Sequence, residues 1–272
     1  MLVLLHRAGS KWLDEFVREH GVFRRPLNAL LLSASSSYML GEKEPFEQVL
    51  PLYMEFKDAF ISHHERNEEA LAILADLLGS FPKRRMLIRE LEDIHLTIEY
   101  RFKDLVKTLT YITEGWGRDL ASRAAVHHEA MEDNIEYDEK VLIPEILDAL
   151  LKAGASERKI SQAFENIEHG RMHSLADRVE KSLSDTVLKS GAVAMNIIGL
   201  DPYERHTAIK EKIREIKDEK IYMLILTSDH DHIPHHHRLL NTEPCLNQNF
   251  SRTEQVSNGI WISMITLREG CK

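Results

Sequence analysis

Apolar residues recur at the spacing of an α-helix over roughly the first 190 positions of this chain. They fall into segments near residues 10–33, 45–79, 85–113, 118–152 and 156–187. Residues that end helices or form turns stand between the segments, among them Gly41, Pro82, Gly115 and Gly154. Because the connections are short, neighbouring helices should run antiparallel. The pattern predicts an all-α protein whose first four helices form an up-down-up-down bundle.

The apolar stripes of these four helices predict the core, with one interruption. Their apolar members are Trp12, Phe16, Phe23, Leu27, Leu30, Phe46, Leu50, Tyr53, Phe60, Leu71, Leu74, Ile88, Leu91, Ile98, Phe102, Leu109, Ala124, Met131, Ile135, Leu142 and Ile146. Pro26 lies inside the first stripe. Proline lacks a backbone donor and collides with the preceding turn, so we expect the first helix to kink or break there.

The composition changes beyond about residue 200. Residues 203–226 still look helical, and we predict accessory helices over 154–226. After that, the charge density falls and Asn, Ser and Thr become frequent, which predicts an irregular or disordered tail over 227–272. Within it, Ile260–Ile265 could form a short strand. The histidine-dense stretch Asp229–His237 is weak evidence for a metal site, because a short histidine tract needs support from a fold.

The bulk composition bounds the partners of the chain. Hydrophobic residues make up 43% and charged residues 29% of the 272 positions, as in an ordinary globular protein. The net charge of −9 argues against general binding of nucleic acid or of anionic membranes, because both need a basic surface. The apolar run at the N-terminus stops at His6, which is too early for a signal peptide. We therefore expect a cytoplasmic protein.

A six-residue string occurs twice, as His63-His64-Glu65-Arg66-Asn67-Glu68 and as His127-His128-Glu129-Ala130-Met131-Glu132. Each copy places a histidine and a glutamate four positions apart, which is one face of a helix. The chain has 15 histidines and 44 acidic residues, so a single such pair means little. The doubled string is different, because chance in this composition gives roughly 0.01 copies.

One histidine falls in the apolar stripe of each of the first four helices. These are His20, His64, His95 and His128, and the repeated strings add Glu68 and Glu132. A single stripe histidine is most often an ordinary core residue, but one on each of four helices is harder to explain that way. Two buried carboxylates would cost several kcal/mol each if unpaired, and a metal ion removes that cost. Mixed imidazole and carboxylate ligands suit iron or manganese.

The remaining histidines and glutamates of these regions are less well placed. Glu65 and Glu129 sit about 100° round the helix from the adjacent histidine, so they are weaker candidate ligands. Glu99 is either a further ligand or a solvated helix residue. We expect His63 and His127 to point away from the core and to be exposed rather than to support the ligands. His169 and His173 lie off the stripe of the fifth helix, and we expect both at the surface.

This arrangement resembles the hemerythrin-like HHE cation-binding domain. The four parts of the resemblance are Arg18-Glu19-His20, the first repeated string, Ile94-His95 and the second repeated string. It covers about residues 10–152, and it implies a metal-binding bundle domain over 1–153.

The resemblance implies a four-helix bundle that encloses two iron ions without heme. His20, His64, His95 and His128 would be terminal ligands, and Glu68 and Glu132 would bridge the metals. Oxygen-carrying hemerythrins have an extra histidine where this chain has Glu99, so reversible oxygen carriage is not expected. The chain is more similar to glutamate-richer variants such as the iron-sensing domain of a ubiquitin-ligase subunit.

Three kinds of function fit the sequence. The favoured one is a di-iron protein that binds or senses iron, O2 or NO, or handles oxidative or nitrosative stress. The second is a ferritin-like di-iron oxidase or oxygenase, but such sites use a Glu-x-x-His pair on each of two helices, and this region offers only Glu92 with His95. The third is a metal-free helical interaction protein whose histidines are merely packed.

Overall fold

The computed structural model describes residues 11–77, 84–110, 115–152, 170–219 and 221–268. Long helices occupy the first part of the chain. They are α1 (Lys11–Leu40), α2 (Glu44–Leu77), α3 (Arg84–Lys107), α4 (Trp116–Tyr137), α5 (Ile143–Lys152) and α6 (Gly170–Lys189). A π-helical turn, Asp138–Leu142, joins α4 to α5.

The helical prediction for this part is confirmed within the described residues. Of the apolar stripe residues whose side chains the structure describes, Leu109 is half-buried and the others are buried. The four-helix arrangement itself stays a prediction. The first helix runs to Leu40 with Pro26 inside it, so the helix does not break there, and a kink at Pro26 stays a prediction. Phe23 and Leu27 on either side of Pro26 are buried, and we attribute the unbroken helix to that packing, which offsets a proline cost of about 3 kcal/mol.

The C-terminal part is not an irregular tail in the described residues. It contains β1 (Ala192–Asn196), α7 (Pro202–Asp218), β2 (Met223–Ser228), α8 (Ile233–Thr242), β3 (Arg252–Ser257) and β4 (Ile260–Thr266). The predicted helix over 203–226 is therefore wrong beyond Asp218, while the strand expected at Ile260–Ile265 is confirmed. The all-α class holds only roughly, because a small sheet accompanies the helices.

The sheet has the strand order β1-β2-β4-β3. Strands β1 and β2 are parallel, whereas β2 with β4 and β3 with β4 are antiparallel. Alternate residues of β2 point to opposite faces, and Leu224 and Leu226 join Ile209 and Ile213 of α7 and Leu239 of α8 in one apolar core. This packing explains why a strand forms where the sequence still looked helical.

Clustering of the chain by proximity gives two compact units, which we describe separately. The first unit contains the residues up to Pro26, Met54–Tyr100 and Glu129–Asp177. The second unit contains Leu27–Tyr53, Arg101–His128 and the chain from Arg178 onward, including the sheet. In the second unit the end of α1 contacts strand β3, since Tyr38 Oη donates to Glu254 Oε2 at 2.5 Å and Arg252 donates to the carbonyl of Met39.

Candidate metal centre

A buried histidine and three charged side chains form one network in the first unit. His20 is fully buried in α1, and its Nδ1 lies 2.9 Å from Glu139 Oε1 in the π-helical turn. Arg24, one turn further along α1, donates to the same Glu139 oxygen at 3.3 Å. The Nε of Arg24 donates to Glu132 Oε2 at 2.9 Å. The network therefore links two predicted ligands, His20 and Glu132, through two residues that were not predicted.

Arg24 offsets part of the negative charge of the two carboxylates in this network. Burial by itself raises the pKa of Glu139, but the hydrogen bond from His20 and the positive charge of Arg24 lower it below the ordinary value. Glu139 is consequently ionised at neutral pH and accepts a hydrogen bond from the N–H group at His20 Nδ1. With that proton on Nδ1, Nε2 is the nitrogen of a neutral ring that carries the lone pair. That tautomer is the one a metal-binding histidine adopts when a carboxylate supports it.

The second unit holds the neighbouring pair His127 and His128. His128 is buried as predicted, and its Nε2 lies 2.8 Å from Asn28 Oδ1. His127 was expected to be exposed, and that expectation is wrong. It is fully buried, its Nε2 lies 2.8 Å from Tyr53 Oη, and its ring packs against Phe102. Burial of the Tyr53 hydroxyl raises its pKa, so the phenol stays protonated and can donate to the imidazole.

The other predicted residues fall into three groups. His95 is only half-buried, and Glu99 accepts from the buried Lys57 at 2.7 Å. Glu129 and His173 are exposed. Exposure was expected for His173, and it agrees with Glu129 being a weaker candidate ligand. The side chains of His63, His64, Glu65 and Glu68, together with His169, lie outside the described residues.

The first unit also buries several polar side chains that do not belong to the network. Glu19, Asn134 and Asp138 are buried along with His20. Neither amide atom of Asn134 has a hydrogen-bond partner within the described part of the chain. A buried amide without partners costs on the order of 1–3 kcal/mol, so such a group calls for an ordered water, an ion or a ligand.

The described side chains do not by themselves assemble a metal site. Over 18–62 and the other ranges whose side chains are described, no group of three or more His, Cys, Asp or Glu is arranged to hold an ion. His20 and Glu132 are brought together through Arg24 rather than around a shared point. The donor chemistry thus suits iron, while the coordination geometry stays a prediction.

Arg24 and Glu139 were not predicted, although their spacing from predicted ligands is visible in the sequence. Arg24 follows His20 by four positions, and Glu139 follows Glu132 by seven, so each shares a helix face with a predicted ligand. The sequence analysis did not single out these two charged residues, because pairing between distant helices is not visible in the sequence.

Comparisons with family models, with curated proteins and with solved structures gave no match to this chain. No helix in the described part of the chain combines the length and apolar content needed to cross a bilayer.

Proposed function

We propose that this chain is a non-heme di-iron protein of the hemerythrin-like kind, with His20 and Glu132 among its ligands. It would bind or sense iron, O2 or NO rather than turn over a substrate. One observation carries the proposal. His20 is buried, and the carboxylate of Glu139 holds its Nδ1. A carboxylate behind the ring fixes its orientation and increases the basicity of the other nitrogen, which is the usual support of a metal-binding histidine.

The charges around Arg24 also support the proposal. Glu132 and Glu139 both direct an oxygen at the same guanidinium group, at 2.9 Å and 3.3 Å. Two half-buried carboxylates need a cation close by, and Arg24 supplies one. A divalent ion bound to Glu132 would compete with Arg24 for the same carboxylate. We therefore expect Arg24 to oppose metal binding while it stabilises the metal-free protein.

The bound metal would supply redox chemistry and a site for a diatomic ligand. The protein's own residues would hold and tune it: Glu139 orients His20, and Arg24 sets the charge available at Glu132. Iron and manganese both suit such nitrogen and oxygen donors.

A metal-free helical interaction protein is the second candidate, and a specific observation favours it. The carboxylate of Glu132 is not left unpaired, because Arg24 already neutralises it. The free-energy cost of burying an unpaired carboxylate was the sequence argument for a metal. The ion pair with Arg24 removes part of that cost. The two candidates differ in what happens when Arg24 is removed.

The deciding experiment measures iron content and the near-ultraviolet spectrum of protein purified under mild conditions. We expect close to two irons per chain with oxo-bridge absorption, little iron in His20→Leu, and unchanged iron in His173→Ala, which alters an exposed histidine. Arg24→Leu should increase the affinity for Fe²⁺ although it lowers the stability of the metal-free protein. Iron far below two per chain in the wild type, with no gain in Arg24→Leu, would leave the metal-free candidate.

A further inference from the structure

A cluster of histidines surrounds the start of α8 in the second unit. From the sequence alone, the stretch Asp229–His237 was weak evidence for a metal site. The fold adds support to that interpretation. His232 and His236 are buried, His235 is half-buried, and the ring of His235 stacks on His206 of α7 with 3.9 Å between centroids. His206 is exposed, so the cluster reaches solvent at that point.

Hydroxyl groups hold the Nδ1 atoms of two of these rings. His232 Nδ1 lies 3.3 Å from Ser263 Oγ, and His236 Nδ1 lies 2.9 Å from Thr253 Oγ1. The two hydroxyls are themselves 2.9 Å apart on the neighbouring strands β3 and β4. A continuous hydrogen-bonded chain therefore connects the start of α8 with strands β4 and β3, through His232, Ser263, Thr253 and His236 in that order.

The opposite ring nitrogens have no such partner. The Nε2 atoms of His232, His235 and His236 are buried, and none forms a hydrogen bond with any described residue. Burial and then the neighbouring histidines lower the pKa of His232 to about 3, and burial followed by His206 and Lys210 lowers that of His235 to about 4. Both rings are neutral at pH 7, which is the form that binds metals.

The geometry singles out one pair. His232 and His235 are three positions apart at the first turn of α8, and their ring centroids are 5.1 Å apart with 58° between the planes. Two imidazoles on one tetrahedral ion, with metal–nitrogen bonds of about 2.0–2.1 Å, place their centroids roughly 5 Å apart. We propose that His232 and His235 bind a divalent transition-metal ion of the imidazole-preferring class, such as copper or zinc, through their Nε2 atoms.

The nearby rings do not complete the set in this arrangement. Arg205 Nη1 donates to His230 Nδ1 at 2.6 Å, so this nitrogen is already engaged in a hydrogen bond. His206 lies parallel to His235 in the stack, and two parallel stacked rings cannot both point a nitrogen at one ion. The proposed site therefore has two histidine ligands, His232 and His235.

Metal binding at His232 would also fix which group donates in each hydrogen bond of this chain. With the metal on Nε2, the proton of His232 is on Nδ1 and is donated to Ser263 Oγ. Ser263 then donates to Thr253, and Thr253 donates to His236 Nδ1. Ser263 is a positioning residue in this scheme, because it acts on the metal only through His232. Loss of such a supporting group typically weakens metal binding 10–100-fold.

The positive side chains around the pair oppose a cation only weakly. Lys210 and Arg238 are exposed, so water and salt screen them. Arg205 is paired with Asp229 at 3.0 Å. Copper and zinc bind neutral imidazole by coordination, so a carboxylate is not required.

Titration of the full-length protein with Cu²⁺, followed by electron paramagnetic resonance, tests the proposal. We expect one Cu²⁺ with nitrogen couplings from two imidazoles. His235→Ala should abolish this signal, Ser263→Ala should weaken binding 10–100-fold, and His237→Ala, which changes an exposed histidine of the same helix, should leave it intact. His20→Leu should also retain it, because that residue belongs to the first unit.

Two results would overturn the proposal. One is an unchanged signal in His235→Ala with folding verified by circular dichroism. The other is an equal loss in His237→Ala or His20→Leu, which would mean that the copper sat on a loose histidine tract or at the first unit's residues.

Discussion

Both units bury histidines, but their Nδ1 atoms have chemically different partners. In the first unit an ionised carboxylate, Glu139, holds the ring of His20, and Arg24 balances the charge. In the second unit hydroxyl groups hold the rings of His232 and His236. A carboxylate adds negative charge behind the ring and favours a cation in front of it, whereas a hydroxyl fixes the ring without adding charge. Under the two proposals, the same residue type would bind a harder metal in one unit and a softer one in the other.

The largest stability effect should come from removing the carboxylate of the first unit. Glu139→Ala takes away the acceptor of His20 Nδ1 and one partner of Arg24. Hydrogen bonds to charged groups contribute about 1.5–3 kcal/mol, so we expect a loss of about 2 kcal/mol in the free energy of unfolding. The urea midpoint of the metal-free protein, followed by circular dichroism, measures it.

Glu136→Ala is the matched control for this change, because the exposed Glu136 pairs with Lys140 and with no other residue in the described part of the chain. It should cost no more than about 0.5 kcal/mol. Equal costs in the two variants would show that Glu139 behaves as a surface residue, and the contrast between the units would then disappear.

A smaller effect is expected from breaking the hydroxyl chain of the second unit. Thr253→Val keeps the shape of the side chain but removes the hydroxyl that contacts both His236 and Ser263. Neutral hydrogen bonds contribute about 1 kcal/mol each, so we expect a loss of about 1–2 kcal/mol in unfolding free energy. Thr207→Val removes an exposed hydroxyl that bonds only to the preceding turn of α7, and it should change stability by less than about 0.5 kcal/mol. Indistinguishable midpoints for the two variants would argue that the chain contributes nothing to folding.

The helices and the burial of His20 and His128 could be predicted from the sequence, because both follow from apolar periodicity along a single element. The burial of His127 could not, since it depends on Tyr53 from another helix. The sheet was missed for a different reason. Residues 223–226 are all apolar and the strand is buried on both faces, so it lacks the alternation that marks a half-buried strand.

One local signal for the sheet was present in the sequence. Asn258 and Gly259 separate β3 from β4, and Gly259 has φ of 83°. An Asn-Gly pair between two strands is a strong hairpin signal, because glycine adopts positive φ without strain. Read together with Ile260–Ile265, it would have predicted two strands instead of one. The histidine cluster then follows only from the fold, which brings α7, α8 and the strands together.

The smallest expected effect is a pH-dependent loss of stability in the second unit, at the start of α7. Asp201 caps this helix, since its Oδ1 accepts from the backbone N–H of Tyr203 at 2.8 Å and of Glu204 at 3.0 Å. The hydrogen bond from Glu204 lowers the pKa of Asp201 below its ordinary value of 3.8, against a smaller opposing effect of desolvation.

Because the folded pKa of Asp201 lies below the unfolded one, the cap stabilises the protein above the unfolded pKa and loses its effect as pH falls through the folded pKa. Asp201→Ala should therefore lower the melting temperature of the second unit by roughly 2–4 °C at pH 7, and by less at low pH, where the protonated carboxyl keeps only an uncharged acceptor. Asp201→Asn keeps an uncharged cap, and its melting temperature relative to Asp201→Ala should be the same at both pH values. A pH-independent difference between the wild type and Asp201→Ala would mean that the side chain acts through its shape and not through its charge.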